Sequence, residues 1–316
     1  MPMIDLHQKN YTLLENVLLL NLSDGWFFVT ILFFVIYCTI LIGNISIFTI
    51  IRVETHLHSP MYFFLSNLSL LDILYSSATI PLMLFNCITG KTKISFRKCI
   101  FQLYFFVSLG GAECILLAIM AYDRFVAICN PLRYPVVMSS RACASLAVTS
   151  WLSGFINSVL HTVMTANLKF CQSDANINHF YCDVPPLIQA SCNPTKTSKI
   201  LLYVVSIFLG FTPFMYIVIS YVHIISTIMK IKSSEGRWRA FSTCSSHLIV
   251  VTIFYGTANL NYVGPTGYSL ELENLASLLY CILTPLVNPI IYCLRNKEVK
   301  GAFKKYLRHN YFTVSR

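Results

Sequence analysis

Long apolar runs fill this chain, and its charged positions gather in the short stretches between them. With His counted as neutral, residues 25–51, 142–168, 200–229, 240–270 and 274–294 hold no charged side chain. Each run suffices for a bilayer span, which needs about 20 mostly apolar residues. Two more runs, 60–87 and 99–122, are equally apolar except for one carboxylate each near mid-depth, Asp72 and Glu113. A membrane β-barrel would alternate apolar and polar residues over strands of about ten, and these runs do not alternate. The pattern predicts an all-α membrane protein, a seven-transmembrane helix bundle with helices over 26–51, 60–87, 99–130, 142–167, 200–230, 239–262 and 272–294. Residues 1–25 are expected to form an outer N-terminal tail. In 295–316, Val299, Ala302, Phe303, Tyr306 and Leu307 recur at helical spacing among Lys300, Lys304, Lys305 and Arg308. That predicts a short amphipathic helix lying on an anionic inner leaflet.

Composition agrees with the pattern. Of 316 residues 56% are hydrophobic and 11% charged, against about 25% charged in soluble domains. Residues 1–24 lack the basic start, apolar core and cleavage site of a secretory leader, so the first span is expected to act as a signal anchor. Basic residues orient the bundle through the positive-inside rule. With the N-terminus outside, Arg52, Arg124, Arg133, Arg141, Lys230, Lys232, Arg237, Arg239 and the seven from Arg295 to Arg316 fall inside, leaving eight of 23 Lys and Arg outside. Asn10-Tyr11-Thr12 and Asn21-Leu22-Ser23 are then outer glycosylation sequons. Asn10 is the better acceptor, because Asn21 lies almost at the membrane. Of twelve cysteines, Cys99, Cys171, Cys182 and Cys192 lie outside the spans. Their oxidising side favours two disulfides, and spacing leaves three pairings open. GxxxxGK, HExxH and CxxC are all absent, which argues against an enzyme and against a transition metal. Positive charges flank spans instead of lining one groove, so the basic balance belongs to the inner membrane face and not to nucleic acid.

Four stretches then narrow the reading: LHSPMYFFLSNLSLLD (57–72), MAYDRFVAICNPLRYP (120–135), RAFSTCSSHL (239–248) and PLVNPIIYCLRN (285–296). Together, in order, they resemble the odorant receptors of the rhodopsin-like G-protein-coupled class over about residues 10–305. Phe125, Arg239 and Cys293 stand where that family usually has Tyr, Lys and Ser. The resemblance implies a receptor for a small volatile that activates an olfactory stimulatory G protein and raises cAMP from the ciliary plasma membrane. It pairs Cys99 with Cys182 and Cys171 with Cys192. Around an outer cavity it places Phe106, Val107, Gly110, Gly111, Val205, Ser206, Leu209, Tyr255, Ala258, Asn259, Tyr262, Leu278 and Cys281, a lining without charge that suits a neutral ligand with one oxygen. Inside, it implies that Asp123 holds Arg124 at rest and releases it toward Tyr221, Tyr292 and the G protein, with Arg239, His247, Asn288 and Pro289 in the same coupling machinery.

Charged carboxylates at mid-membrane would each cost about 2.5 kcal/mol or more if left alone. Asn44, Ser69, Thr284 and Asn288 are the predicted company for Asp72 and Glu113. The resemblance makes Asp72, Glu113 and Asn288 a sodium site of the resting receptor, and no other cofactor is expected. Pro81, Pro213, Pro285 and Pro289 are predicted to kink their helices. In the sixth helix, which has no proline, Gly256 is the candidate hinge and Tyr255 the cavity floor. Other classes fit less well. Paired repeats with interrupted helices would mark a transporter, and charge rings or filter carbonyls a channel. An Asp in 102–111 would mark an amine receptor, and a Lys in the seventh helix a retinal receptor.

Overall fold

The computed structural model describes residues 14–19, 26–170, 174–177, 179–192, 200, 204–262, 270–295, 298–303 and 305. Its architecture is the predicted one: α1 (Trp26–Val53), α2 (Pro60–Thr89), α3 (Phe96–Cys129), α4 (Ser140–Ala166), α5 (Thr212–Lys230), α6 (Ser234–Tyr262) and α7 (Leu270–Arg295). All seven are long and apolar enough to cross a membrane. The apolar window of α3 is 61% buried and that of α1 only 22%, so α3 is the axis and α1 presents most of its surface outward. α5 starts as regular α-helix at Thr212, after a π turn, where 200 was expected; α3 and α6 begin at Phe96 and Ser234 instead of 99 and 239. Charges mark where a bilayer ends, whereas hydrogen bonding marks where a helix ends, and these helices extend past the apolar zone.

The prolines show how a helix tolerates a missing donor. Pro289 lacks an N–H, which frees the carbonyl of Pro285 four residues earlier. That carbonyl accepts from Asn44 Nδ2 of α1 at 3.0 Å, a side-chain substitution of the kind membrane helices use. The neighbouring Gly43 permits the approach, since a Cβ there would lie 2.9 Å from Pro289 Cβ. At Pro213 the irregularity is a π-helical turn, Ser206–Phe211, leading into α5. Thr212 Oγ1 donates across that turn to Ile207 O at 3.0 Å.

At one end of the bundle, called the outer end below, a three-stranded sheet orders as β2-β1-β3. It joins β1 (Asn16–Leu18), antiparallel to β2 (Lys93–Ser95) and parallel to β3 (Asp174–Asn176). Sequence pattern does not announce it, because strands of three residues are too short to show alternation. Beneath it a separate apolar cluster forms from Leu14, Val17, Ile94, Leu103, Phe170, Ile177 and Leu187. At the opposite, inner end, residues 298–303 are helical, with Val299 and Ala302 buried in the main core. Tyr62 Oη donates to Glu298 at 2.7 Å and Lys305 Nζ to Glu54 at 3.0 Å. Tyr306, Leu307 and Arg308 lie outside the described residues, as do Asn10, Asn21 and Cys171.

Candidate functional site

Three buried layers stack along α3. In the outer layer, Phe106 stacks on Tyr75 of α2 at 5.1 Å, and Tyr181 and Tyr280 complete the group at 4.7 and 6.0 Å. Tyr280 of α7 also meets Tyr262 and Phe254 of α6 at 5.5 and 6.1 Å. Below them Tyr255 packs against Phe214 at 5.1 Å, and its hydroxyl donates to Cys114 O at 3.4 Å. Cys281 Sγ donates to Thr79 Oγ1 at 3.1 Å. Val107, Ala258 and Leu278 are part-buried against the same core. Tyr75, Tyr181 and Tyr280 were not anticipated from sequence. Tyr75 lies three residues after Asp72, and Tyr280 four before Thr284, so helical spacing from the mid-depth polar residues already puts both on the inward face.

The connection between α4 and α5 roofs this cluster. Cys182 is joined to Cys99 with an S–S distance of 2.04 Å. Its N–H donates to Gln102 Oε1 at 3.0 Å, Gln102 Nε2 donates to Ala78 O at 2.9 Å, and Tyr181 Oη donates to Ser277 O at 3.2 Å. Cys192 is disulfide-bonded too. Asp183 caps the short helix Val184–Ala190 by accepting from Val184 N at 2.7 Å. Its carboxylate also accepts from Asn261 Nδ2 and Tyr262 Oη, both at 3.4 Å. Burial pushes the Asp183 carboxyl up to about 6 despite those donors. Burial likewise pushes His179 down to about 4, while its Nδ1 pairs with Tyr181 O at 3.0 Å.

Several expected lining residues sit otherwise. Gly111 faces α4, where an added Cβ would lie 3.3 Å from the Cα of Gly154. It serves close helix packing and is not cavity wall. Gly110 does face the cluster, with its Cβ position 3.1 Å from Tyr280 Oη. Asn259 is exposed, and its amide is already committed to Tyr255 O at 2.7 Å. Val205 and Leu209 are half-buried around the π turn, and the side chain of Ser206 lies outside the described set. Within α6, Gly256 meets nothing within 4 Å of an added Cβ.

In the middle layer Asp72, Glu113 and Asn288 are buried together. Asn288 Nδ2 donates to both Asp72 oxygens, at 3.2 and 3.0 Å, and interacts with Glu113 as well. Glu113 Oε1, Asn44 Oδ1 and Thr284 Oγ1 are buried without a hydrogen-bond partner among the described residues. Such a surplus of oxygens over donors suits a hard cation, which prefers oxygen ligands. Among the described residues no cluster of three or more His, Cys, Asp or Glu converges as a metal site.

In the inner layer Arg124 is buried, and its Nε has no hydrogen-bond partner among the described residues. Its charge is felt by Tyr221, Cys244, His247 and Tyr292. Tyr221 Oη pairs with His247 Nδ1 at 2.8 Å, while Tyr292 Oη and His247 Nε2 have no hydrogen-bond partner among the described residues. The expected Asp123–Arg124 ion pair does not form among the described residues. Consecutive helical side chains point away from each other, so Asp123 turns to the loop after α3 and accepts from Tyr134 Oη at 2.9 Å. Burial and then the Asp123 charge hold the Tyr134 hydroxyl above the usual tyrosine range, which keeps its proton in place. The Arg239 side chain lies outside the described set.

Comparison with known proteins gives a consistent picture. A family model described as "Olfactory receptor" matches residues 33–310. The chain is 47% identical over 312 residues to olfactory receptor 5AP2 of Mus musculus, covering 97% of each. It is 46% identical over 302 residues to the olfactory receptor-like protein OLF3 of Canis lupus familiaris, covering 94% of this chain and 95% of that one. Olfactory receptor 2F1 of Homo sapiens is 45% identical, with the same two coverages.

Proposed function

This chain belongs to the olfactory receptor family, a family of G-protein-coupled receptors and not of enzymes, and from that premise we propose how its three layers work. The outer layer binds a small, mostly apolar volatile among Phe106, Tyr255, Tyr262, Leu278 and Cys281. The inner layer engages a stimulatory G protein of the olfactory type and raises cAMP. The N-terminus is extracellular, with Asn10 glycosylated and Cys171 joined to Cys192, and the receptor works in the plasma membrane of sensory cilia.

One observation carries the coupling half of this reading: a buried, always-charged guanidinium with an uncommitted Nε among tyrosines and a histidine. Arg124 is held by no carboxylate among the described residues, so its movement toward a G protein breaks no ion pair. The restraint sits one residue away, where Tyr134 holds Asp123. In the middle layer, Asp72 and Glu113 would coordinate Na+ through their oxygens, with Asn288 orienting Asp72. A bound monovalent cation would neutralise one carboxylate there.

Cells expressing the receptor, screened against a panel of volatiles with a cAMP readout, test the reading. The expected agonists are neutral and mostly apolar, and Arg124→Ala abolishes their response at matched surface level. Normal signalling by that variant refutes the coupling assignment, and amines or carboxylates as the strongest agonists refute the pocket. Ligand-evoked current or uptake in reconstituted vesicles without cAMP would point to a channel or transporter instead.

A further inference from the structure

At the inner end, away from Arg124, the inner ends of α1, α2 and α4 enclose a cavity of about 410 Å³. Its floor is apolar and buried, with Ile51, Leu57, Met138 and Cys143 each less than 5% exposed. Its rim is polar, with Arg52, His58, Ser59 and Ser140. A cavity with an apolar floor and a cationic rim is built for an amphiphile with a negative head.

The electrostatics point the same way. Arg52 is exposed, lies 5.2 Å above the Phe48 ring, and has no carboxylate partner among the described residues. Carboxylates close by are already taken, Glu54 by His56 at 3.3 Å and Lys305 at 3.0 Å, and Glu298 by the Tyr62 hydroxyl. Among the described residues no acidic one lines the cavity. The N-terminal ends of both α2 and α4 reach it, and neither N-cap serine, Ser59 or Ser139, caps its helix with its side chain. Helix starts carry partial positive charge and unpaired N–H groups. Arg141, exposed beside Ser140, adds a second cation nearby.

We propose that this cavity binds the phosphate of an anionic glycerophospholipid from the inner leaflet, with Arg52 and the starts of α2 and α4 on the head and an acyl chain over the apolar floor. The source is a lipid because the floor would be wasted on a soluble phosphate, and because basic pockets between membrane helices suit anionic headgroups. The proposal rests on the orientation given above, which puts this end in the cytoplasm.

Native mass spectrometry of the purified full-length receptor tests it, with short-chain phosphatidylserine, short-chain phosphatidylcholine and inorganic phosphate as separate probes. Wild type should retain one phosphatidylserine in preference to phosphatidylcholine. Arg52→Gln removes a charge-assisted contact and should lower that retention about tenfold. Ser140→Glu should do the same by repulsion, and a glutamate in the first turn of α4 favours the helix, so this variant serves if Arg52→Gln does not reach the membrane. Replacing Lys300, Lys304 and Arg308 together by Gln, with Lys305 kept because it holds Glu54, should leave the preference intact, which separates the cavity from the basic tail. Equal retention of the two lipids by wild type, unchanged retention in both rim variants, loss of the preference in the tail variant, or inorganic phosphate bound as tightly as the lipid would each overturn the proposal. Odorant-evoked cAMP is read separately, so a receptor that binds the lipid but no volatile, or the reverse, shows which reading failed.

Discussion

The outer and inner ends of this bundle treat buried polar atoms in opposite ways. At the outer end they are spent as clasps: Gln102 bonds both the roof and α2, Tyr181 reaches α7, and Asp183 gathers three donors. Among the described residues, Asn44, Glu113, Arg124, His247, Thr284 and Tyr292 each keep a buried polar atom without a hydrogen-bond partner from mid-depth inward, whereas in the outer half Tyr75, Thr162 and Asn274 do so. A buried polar group without a partner costs about 1–3 kcal/mol. The outer end therefore gains fixed shape, and the inner end retains groups whose pairing can change, as the proposed coupling requires.

Removing the covalent clasp should break the contrast most strongly. Cys99→Ser frees the roof, and loss of such a disulfide costs about 2–5 kcal/mol, so surface expression and thermal stability should collapse while Arg124→Ala leaves both near wild type. Peptide mapping under non-reducing conditions checks the second clasp; Cys171 joined to Cys99 would refute the proposed pairing.

Acidification sharpens the comparison next. The Asp183 carboxyl is raised in the folded chain, so it disfavours folding when ionised, and the relief from its protonation is lost as pH rises through about 6. From pH 7 to 5, wild type should gain about 1–1.5 kcal/mol relative to Asp183→Asn. His179 acts in the opposite sense, because its depressed value makes the folded state lose stability as pH falls from its ordinary range through about 4. His179 is present in both proteins, so the wild type minus Asp183→Asn difference in melting temperature isolates the carboxyl. A wild type minus Asp183→Asn difference that becomes more negative as pH falls contradicts the sign.

The two smallest effects probe one end each. Tyr134→Phe deletes a hydrogen bond to a charged acceptor, a change of about 1.5–3 kcal/mol at most, and should raise ligand-independent cAMP a few-fold without altering odorant potency. Unchanged basal signalling would show that Tyr134 does not restrain Asp123. Asn259→Leu should leave potency for oxygenated ligands within about twofold, since the side chain is exposed and its amide already serves Tyr255. A larger loss would return Asn259 to the pocket.

The same division governs how much was legible in the sequence. Seven spans followed from five charge-free runs and two with a single carboxylate, because lipid imposes one requirement on every residue of a span. Asn44, expected as polar company for Asp72 and Glu113, spends its amide on the carbonyls of Ile40 and Pro285, the second a partner 241 residues away that spacing cannot specify. The Asp123–Arg124 pair failed for a reason present in the sequence itself, since neighbours on a helix diverge. Gly111 and Gly110 look alike in sequence, and only the crossing with α4 at Gly154 separates their roles. The sheet and the roof aromatics stayed hidden because they depend on a loop folding back over the bundle, which no periodicity records.

The bond between Asn44 and the carbonyl of Pro285 has a consequence for biosynthesis. The ribosome makes α1 first and α7 last, so the Asn44 amide enters the membrane long before its acceptor exists. Until residue 285 is made, that amide has only the carbonyl of Ile40 in its own helix, 3.1 Å away, to donate to, and its second N–H waits on the last helix. One polar side chain thus couples the settling of the first helix in lipid to the completion of the last.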